Sequence, residues 1–252
     1  MPGRYYCEVV DNEQLSEGIF RVTVVSGPIA DEAEAGQFIH IKCGEERLLR
    51  RPMGIAGVRG DAIEFVFEAK GSGTRWLSLR EPGQELDILG PLGRGFSFPE
   101  GDIIIVGGGM GSPLMLFAAE SAKSGVTAVL GFRELPRVIM KREFMSVCDE
   151  VFLTTEDGSA GTRGVVTEPL EALLKAGGFA AVMACGQITM QREVAKLCKQ
   201  YSVPCQVTLE ERMGCGIGAC QSCACETISG GTTKMSRVCV DGPVFNAAEV
   251  VW

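Results

Sequence analysis

Near its C-terminus the chain reads Cys215-Gly216-Ile217-Gly218-Ala219-Cys220-Gln221-Ser222-Cys223, and a fourth cysteine, Cys239, follows downstream. Gaps of four and two residues closed by one distant cysteine are the spacing of a plant-type [2Fe–2S] cluster. Four thiolates would hold two irons, and the negative charge on the sulfurs has to be met by backbone N–H groups. Gly214, Gly216, Gly218 and Ala219 let the loop wrap closely enough for those donors to point inward. A zinc knuckle prefers two separated pairs of closely spaced cysteines, and the gap between Cys215 and Cys220 is wrong for one. A disulfide framework fits less well still. The 11 cysteines are an odd number, no secretory signal opens the sequence, and 252 residues can bury a core of their own. Cys225 adjoins the motif and is expected to be a non-ligand; a reducing cytoplasm is the expected setting.

A net charge of −8 argues against nucleic acid, whose phosphates demand a basic face. No apolar run approaches the roughly 20 residues that a membrane-spanning helix needs. The chain divides by pattern. Apolar stretches at 5–10, 19–25, 37–41, 62–67 and 85–89, separated by turn residues such as Ser26-Gly27-Pro28 and Glu81-Pro82-Gly83, predict an antiparallel β-barrel. After Phe98 strand and helix alternate: strands at 103–106, 127–131, 151–155, 180–185 and 205–210, helices at 113–124, 169–176 and 189–200. That order predicts a doubly wound parallel sheet. The expected domains are 1–98, 99–210 and 211–252, the last being a small cluster-binding unit.

Gly107-Gly108-Gly109-Met110-Gly111-Ser112-Pro113 stands where the first parallel strand turns into its helix. Glycines there allow close approach to a pyrophosphate, and Ser112 and Pro113 suit the start of the helix that receives the anion. The register is not G-x-G-x-x-G, which disfavours an ordinary Rossmann dehydrogenase. Cys185-Gly186 ends the fourth parallel strand and would face the same crevice, since ligands bind at the carboxyl ends of strands in such sheets. In the β half, Arg50-Arg51-Pro52-Met53-Gly54 and Gly71-Ser72-Gly73-Thr74 together offer an arginine fork and a nest of amides for a flavin pyrophosphate. Each segment alone would read as a charged turn or a hairpin loop.

Taken in order, Arg51-Pro52-Met53-Gly54, Gly73-Thr74, Gly107 to Gly111, Asp157-Gly158-Ser159, Cys185-Gly186, the four cysteines and Asp241-Gly242-Pro243-Val244-Phe245 resemble the electron transfer subunits of class 1B, NAD-dependent dihydroorotate dehydrogenases. The resemblance covers essentially the whole chain. It implies a ferredoxin-reductase-like FAD barrel, an NAD-binding α/β domain and a C-terminal [2Fe–2S] domain. It also implies docking on an FMN-containing catalytic subunit in a heterotetramer with two of each kind. Electrons from dihydroorotate would pass from FMN through the cluster to FAD and on to NAD+, a step of pyrimidine synthesis. Carried over by motif, Arg51, Pro52, Met53 and Gly54 would line the flavin and its phosphates, and Gly73 and Thr74 would bind its pyrophosphate. Val66, Phe67 and Glu68 would run beside the flavin. Gly107, Gly108, Gly109 and Gly111 with Cys185 and Gly186 would place NAD, and Cys215, Cys220, Cys223 and Cys239 would ligate the cluster.

Two departures from the family pattern stand out: Gly54 replaces a residue that usually carries a hydroxyl near the flavin's reactive nitrogen, and Gln187 replaces the proline that commonly follows Cys-Gly. A related FAD/[2Fe–2S] subunit of a ferredoxin:NADP+ oxidoreductase or sulfide dehydrogenase shares the architecture, and a zinc-stabilised, non-catalytic module is the reading from another class. His40, the only histidine, is assigned no chemistry. Trp252 is expected to pack against its own domain, and Glu45-Glu46 and Glu210-Glu211 are expected to be solvated faces.

Overall fold

A computed structural model of the chain describes residues 3–252. Six strands, β1 (Gly3–Ser16), β2 (Ile19–Val25), β3 (Phe38–Ile41), β4 (Arg51–Arg59), β5 (Ala62–Glu68) and β6 (Glu85–Leu92), close into an antiparallel barrel in the order β1-β2-β5-β4-β3-β6. Closure gives every strand two neighbours, and the end of β5 beyond Phe65 stays unpaired on its β4 side. Its interior is filled by alternating apolar residues, among them Ile39, Ile41, Ile55, Phe65 and Ile88, all fully buried. The sequence reading missed β4, taking its start for a turn after a strand. The proline and the two glycines in Arg51-Pro52-Met53-Gly54-Ile55-Ala56-Gly57 hide a strand whose register is imposed by β3 and β5 on either side. Two short helices, α1 (Gly27–Glu32) and α2 (Ser72–Ser78), bridge strands of the barrel.

The second sheet is built from β7 (Ile103–Gly108), β8 (Val126–Phe132), β9 (Glu150–Thr155), β10 (Thr162–Arg163), β11 (Ala181–Cys185) and β12 (Cys205–Thr208), all parallel, with α3 (Ser112–Ser121), α4 (Lys141–Val147), α5 (Thr167–Ala176) and α6 (Ile188–Gln200) against its faces. Ile103, Ile104, Ile105 and Val106 are buried in succession, as a central parallel strand covered on both faces requires. Strand order reverses between β7 and β11, so the crevice at their carboxyl ends is a topological switch point.

Beyond residue 210 come the cysteine loop, a hairpin of β13 (Ala224–Ser229) and β14 (Thr232–Arg237), and β15 (Val244–Asn246). β15 lies antiparallel to β12 and forms the edge of the second sheet. The range 211–252 therefore contributes a strand to the α/β unit as well as carrying the cysteines. The barrel and the sheet are joined by ion pairs from Glu68 to Arg137 (2.8 Å) and from Arg59 to Glu120 (2.7 Å). No helix is long and apolar enough to cross a membrane among the described residues.

Candidate functional site

Three of the motif cysteines lie in the loop between β12 and β13, and Cys239 follows β14. The Cys215 N–H points at Cys220 Sγ and the Cys220 N–H at Cys215 Sγ, each at 3.4 Å, and the Ile217 N–H adds a third donor at 3.5 Å. Cys223 and Cys239, each 1% exposed, form a second contacting pair, with the Gly218 backbone beside Cys239. No three His, Cys, Asp or Glu side chains converge on one point among the described residues. Two pairs suit two irons sharing four thiolates better than one tetrahedral ion. Burial opposes ionisation of Cys215, but the N–H groups of Ile217 and Cys220 outweigh it and bring the thiol down to about 7. The donor set thus fits a [2Fe–2S] cluster: two cysteine pairs, with backbone amides aimed at the sulfurs of Cys215 and Cys220. Gly216 and Gly218 have φ of +72° and +82°, which only glycine adopts without strain. Cys225, on β13, is pushed up to about 11 by burial, first, and by nearby acids.

Two residues that the sequence reading gave no role brace this loop. Arg237 donates to the Gly218 carbonyl (3.1 Å) and pairs with Asp241 (3.3 Å), which also accepts from the Arg237 N–H (2.8 Å). Burial pushes Asp241 up, yet these Arg237 bonds prevail and hold its carboxyl below the ordinary range. The only available signal was their spacing around Cys239.

The barrel separates Arg50 from Arg51. Arg50 forms a fork on Asp87, with both contacts at 2.8 Å, and also donates to the Asp87 carbonyl. Arg51 has no acidic partner among the described residues and bonds only the carbonyls of Leu49 and Arg50. Its guanidinium lies against the 71–74 turn: a methyl group on Gly73 would stand 2.7 Å from Arg51 Nε. That turn opens α2, and Thr74 Oγ1 accepts from the Gly71 N–H at 3.0 Å. Strand pairing of β4 with β5 ends at Ile55 opposite Phe65, leaving the β4-facing edge of Val66, Phe67 and Glu68 outside the ladder. Phe67 itself packs into an aromatic stack with Phe20 and Phe65, and Glu68 pairs with Lys70 and Arg137, so only their backbones face outward from these sites. An unpaired cation over an amide turn and an open strand edge fit a flavin dinucleotide. At Gly54, a methyl group would meet the Leu114 side chain of α3 at 2.5 Å. Leu114 thus occupies the space that a hydroxyl side chain would fill.

In the second sheet the two glycine segments meet. A methyl group on Gly111 would lie 2.3 Å from the Cys185 carbonyl, and one on Gly186 would lie 3.1 Å from Gly108 Cα. Gly109, at φ +51°, has open space around it, while Met190 packs across Gly108 and Gly186. Ser112 Oγ, at the start of α3, is fully buried without a hydrogen-bond partner. An orphaned hydroxyl and a glycine turn at a ten-residue helix N-terminus fit an anionic nucleotide. Burial pushes the Cys185 thiol up to about 12, so it stays protonated behind Gly186. The sequence reading missed Gln191, 1% exposed, which donates to the carbonyls of Gly186 (2.8 Å) and Thr208 (2.7 Å) and accepts from the Thr208 N–H (2.9 Å). Its one signal was its place on the buried stripe of α6, at helical spacing from Val194 and Cys198.

Beside Gly186 a cleft of 610 Å³ runs between α6 and the hairpin, lined by Gln187, Glu210, Glu211, Cys225 and Trp252. Trp252 donates to the Ala247 carbonyl and so packs on its own segment, and Glu210 and Glu211 are exposed.

Known proteins converge on this arrangement. Residues 210–251 match the family described as the iron-sulfur cluster binding domain of dihydroorotate dehydrogenase B. A protein of Geobacillus thermodenitrificans named dihydroorotate dehydrogenase B (NAD(+)), electron transfer subunit, is 37% identical over 100% of both chains. One of the same name from Desulforamulus reducens is 38% identical over 89% of each. Among solved structures, a chain of the NADH-dependent reduced ferredoxin-NADP oxidoreductase superposes with a TM-score of 0.87 at 31% identity, covering 100% of this chain and 92% of that one. A Neisseria gonorrhoeae ferredoxin NADP+ reductase with bound FAD and NADP shares the fold, with a TM-score of 0.66 at 14% identity over 83% of this chain and 94% of that one. With full-length relatives at this identity and a cysteine loop built for the cluster, the chain belongs to the family of dihydroorotate dehydrogenase B electron transfer subunits.

Proposed function

We propose that this chain carries electrons from an FMN-containing catalytic subunit that oxidises dihydroorotate to orotate, through a [2Fe–2S] cluster and FAD, to NAD+ in pyrimidine synthesis. The observation that carries this reading is the seating of the cysteine loop on the flavin-type barrel, with Gly216 against His40 of β3, in a chain whose second sheet opens a nucleotide crevice. Bound FAD and the cluster supply the exchange between single electrons and a hydride.

The chain's own residues bind and orient. Cys215, Cys220, Cys223 and Cys239 hold the irons while loop amides offset the charge on sulfur. Arg51 grips the flavin pyrophosphate over Gly73 and Thr74. Pro52, Met53 and Gly54 present the β4 backbone, and Val66, Phe67 and Glu68 the free edge of β5. Gly107, Gly108, Gly109 and Gly111 admit the NAD phosphates, and Cys185 and Gly186 leave room for the nicotinamide. In this reading 1–98 is the FAD unit, 99–210 the NAD unit, and 211–252 the cluster unit, which lends Val244–Asn246 to the NAD sheet. The assembly is a cytoplasmic heterotetramer with two of each subunit.

The test is purification of the tagged chain from its native host, with partner identification, iron, sulfide and flavin assays, and dihydroorotate-dependent NAD+ reduction. Recovery of an FMN protein with that activity is the expected result. The high structural likeness to the NADH-dependent ferredoxin-NADP oxidoreductase chain, together with the Gly54–Leu114 pair, favours a second reading as a subunit of that type. It predicts a large oxidoreductase partner and no response to dihydroorotate.

A further inference from the structure

His40 is fully buried, and neither Nδ1 nor Nε2 has a hydrogen-bond partner. Buried polar groups are almost always paired, and the polar groups nearest this imidazole are the backbones of Arg50 and Cys215. On the barrel side His40 stands in β3 opposite Pro52 of β4 and Leu89 of β6, one register position from Arg51. On the other side is the cysteine loop. A methyl group on Gly216 would lie 2.6 Å from Nδ1 and 3.3 Å from Cε1, and the Cys215 backbone faces the ring. Any larger residue at 216 would push the loop off the imidazole.

We propose that His40 is a positioning residue: its ring edge, facing the Cys215 backbone, seats the cluster loop, at Cys215 and Gly216, on β3 beside β4 and sets the distance over which single electrons pass between the cluster and the flavin. The inference rests on the functional reading above. Leucine would fill the same volume without a flat, hydrogen-bonding edge, whereas glutamine would keep both a donor and an acceptor at similar reach.

The test uses the full chain loaded with flavin and iron, as wild type, H40L and H40Q. NADH passes a hydride to the flavin, and one of those two electrons then moves to the oxidised cluster. Stopped-flow absorbance follows both steps, and EPR of the reduced cluster reports its surroundings. In H40L, flavin reduction is expected to stay within about twofold of wild type while cluster reduction slows by about tenfold or more. Its EPR line shape is expected to change, with partial recovery in H40Q. Wild-type cluster reduction and an unaltered line shape in H40L would overturn the proposal. If H40L yields no folded protein, H40N decides: its shorter amide should slow cluster reduction as leucine does, and a wild-type rate overturns the idea. A wild-type chain that lacks flavin and iron would overturn the functional reading itself, a result distinct from a loaded H40L protein that behaves normally.

Discussion

Neighbouring side chains of one type take different work in this molecule because strand alternation sends them to different surroundings. Arg50 is spent on Asp87 inside the barrel wall, and Arg51 remains free over the 71–74 turn. Arg51→Ala should weaken FAD binding by about 10-fold or more, given about 1.5–3 kcal/mol for a charged hydrogen bond, with little change in melting temperature. Arg50→Ala should do the reverse, lowering stability by about 1–3 kcal/mol. Flavin-fluorescence titration and thermal denaturation separate the two. Cysteines divide in the same way: serine at 215, 220, 223 or 239 should abolish stoichiometric iron and sulfide, whereas Cys225→Ser should leave both intact, as metal assay would show. Asp87 carries a pH consequence. Burial pushes its carboxyl up, but the bonds from Arg4 and Arg50 prevail and hold it below the ordinary value. Its stabilisation is therefore present above about pH 4 and lost as the pH falls through the folded value. Asp87→Asn should be less stable at neutral pH and show a flatter acid-unfolding profile.

At the scale of elements, helix α3 links the two halves, since it starts at the Gly107–Gly111 turn of the second sheet and lays Leu114 on Gly54 of β4. Gly54→Ser should cost about 1–3 kcal/mol through the clash with Leu114 and should regain most of it when combined with Leu114→Ala. Denaturant unfolding of the single and double variants measures this; additive losses would show that the two positions are not coupled. The crevice has an analogous brace in Gln191, which ties the Gly186 turn to β12 from behind. Gln191→Leu would remove the partner of the Gly186 carbonyl and of the buried Thr208 carbonyl and N–H, at about 1–3 kcal/mol each, and should raise the KM for NADH more than it lowers kcat.

The whole molecule is more continuous than its three-part pattern suggests. Glu68 with Arg137 and Arg59 with Glu120 fasten the barrel to the sheet, and Gln206 bonds the backbone of Ser97 between them. The last residues return from the cluster loop to complete the second sheet, with Val244 and Phe245 buried at 8% and 7% exposure. Phe245→Ala should therefore destabilise the nucleotide unit by about 3–5 kcal/mol, as well as loosening the loop. Hydrogen exchange would locate that effect: faster exchange in β12 is expected, and a change confined to the cysteine loop would contradict the shared edge.

Local chemistry is what the chain alone determined. Cysteine spacing, glycine turns and alternating apolar residues depend on neighbours a few positions apart, so the cluster motif, the barrel without β4, the parallel strands from 103 to 208 other than β10 and the two glycine segments were legible before any coordinate. What the tertiary structure decided were the pairings between distant segments. That β4 is a strand, that β15 joins the second sheet, that Arg50 rather than Arg51 meets Asp87, that Leu114 fills the space over Gly54, and that His40 lies beneath Gly216 all depend on contacts made across the fold. The physical reason is the same in each case. A short polar or glycine-containing segment has no strong conformational preference of its own, and its role is set by the surface it is packed against.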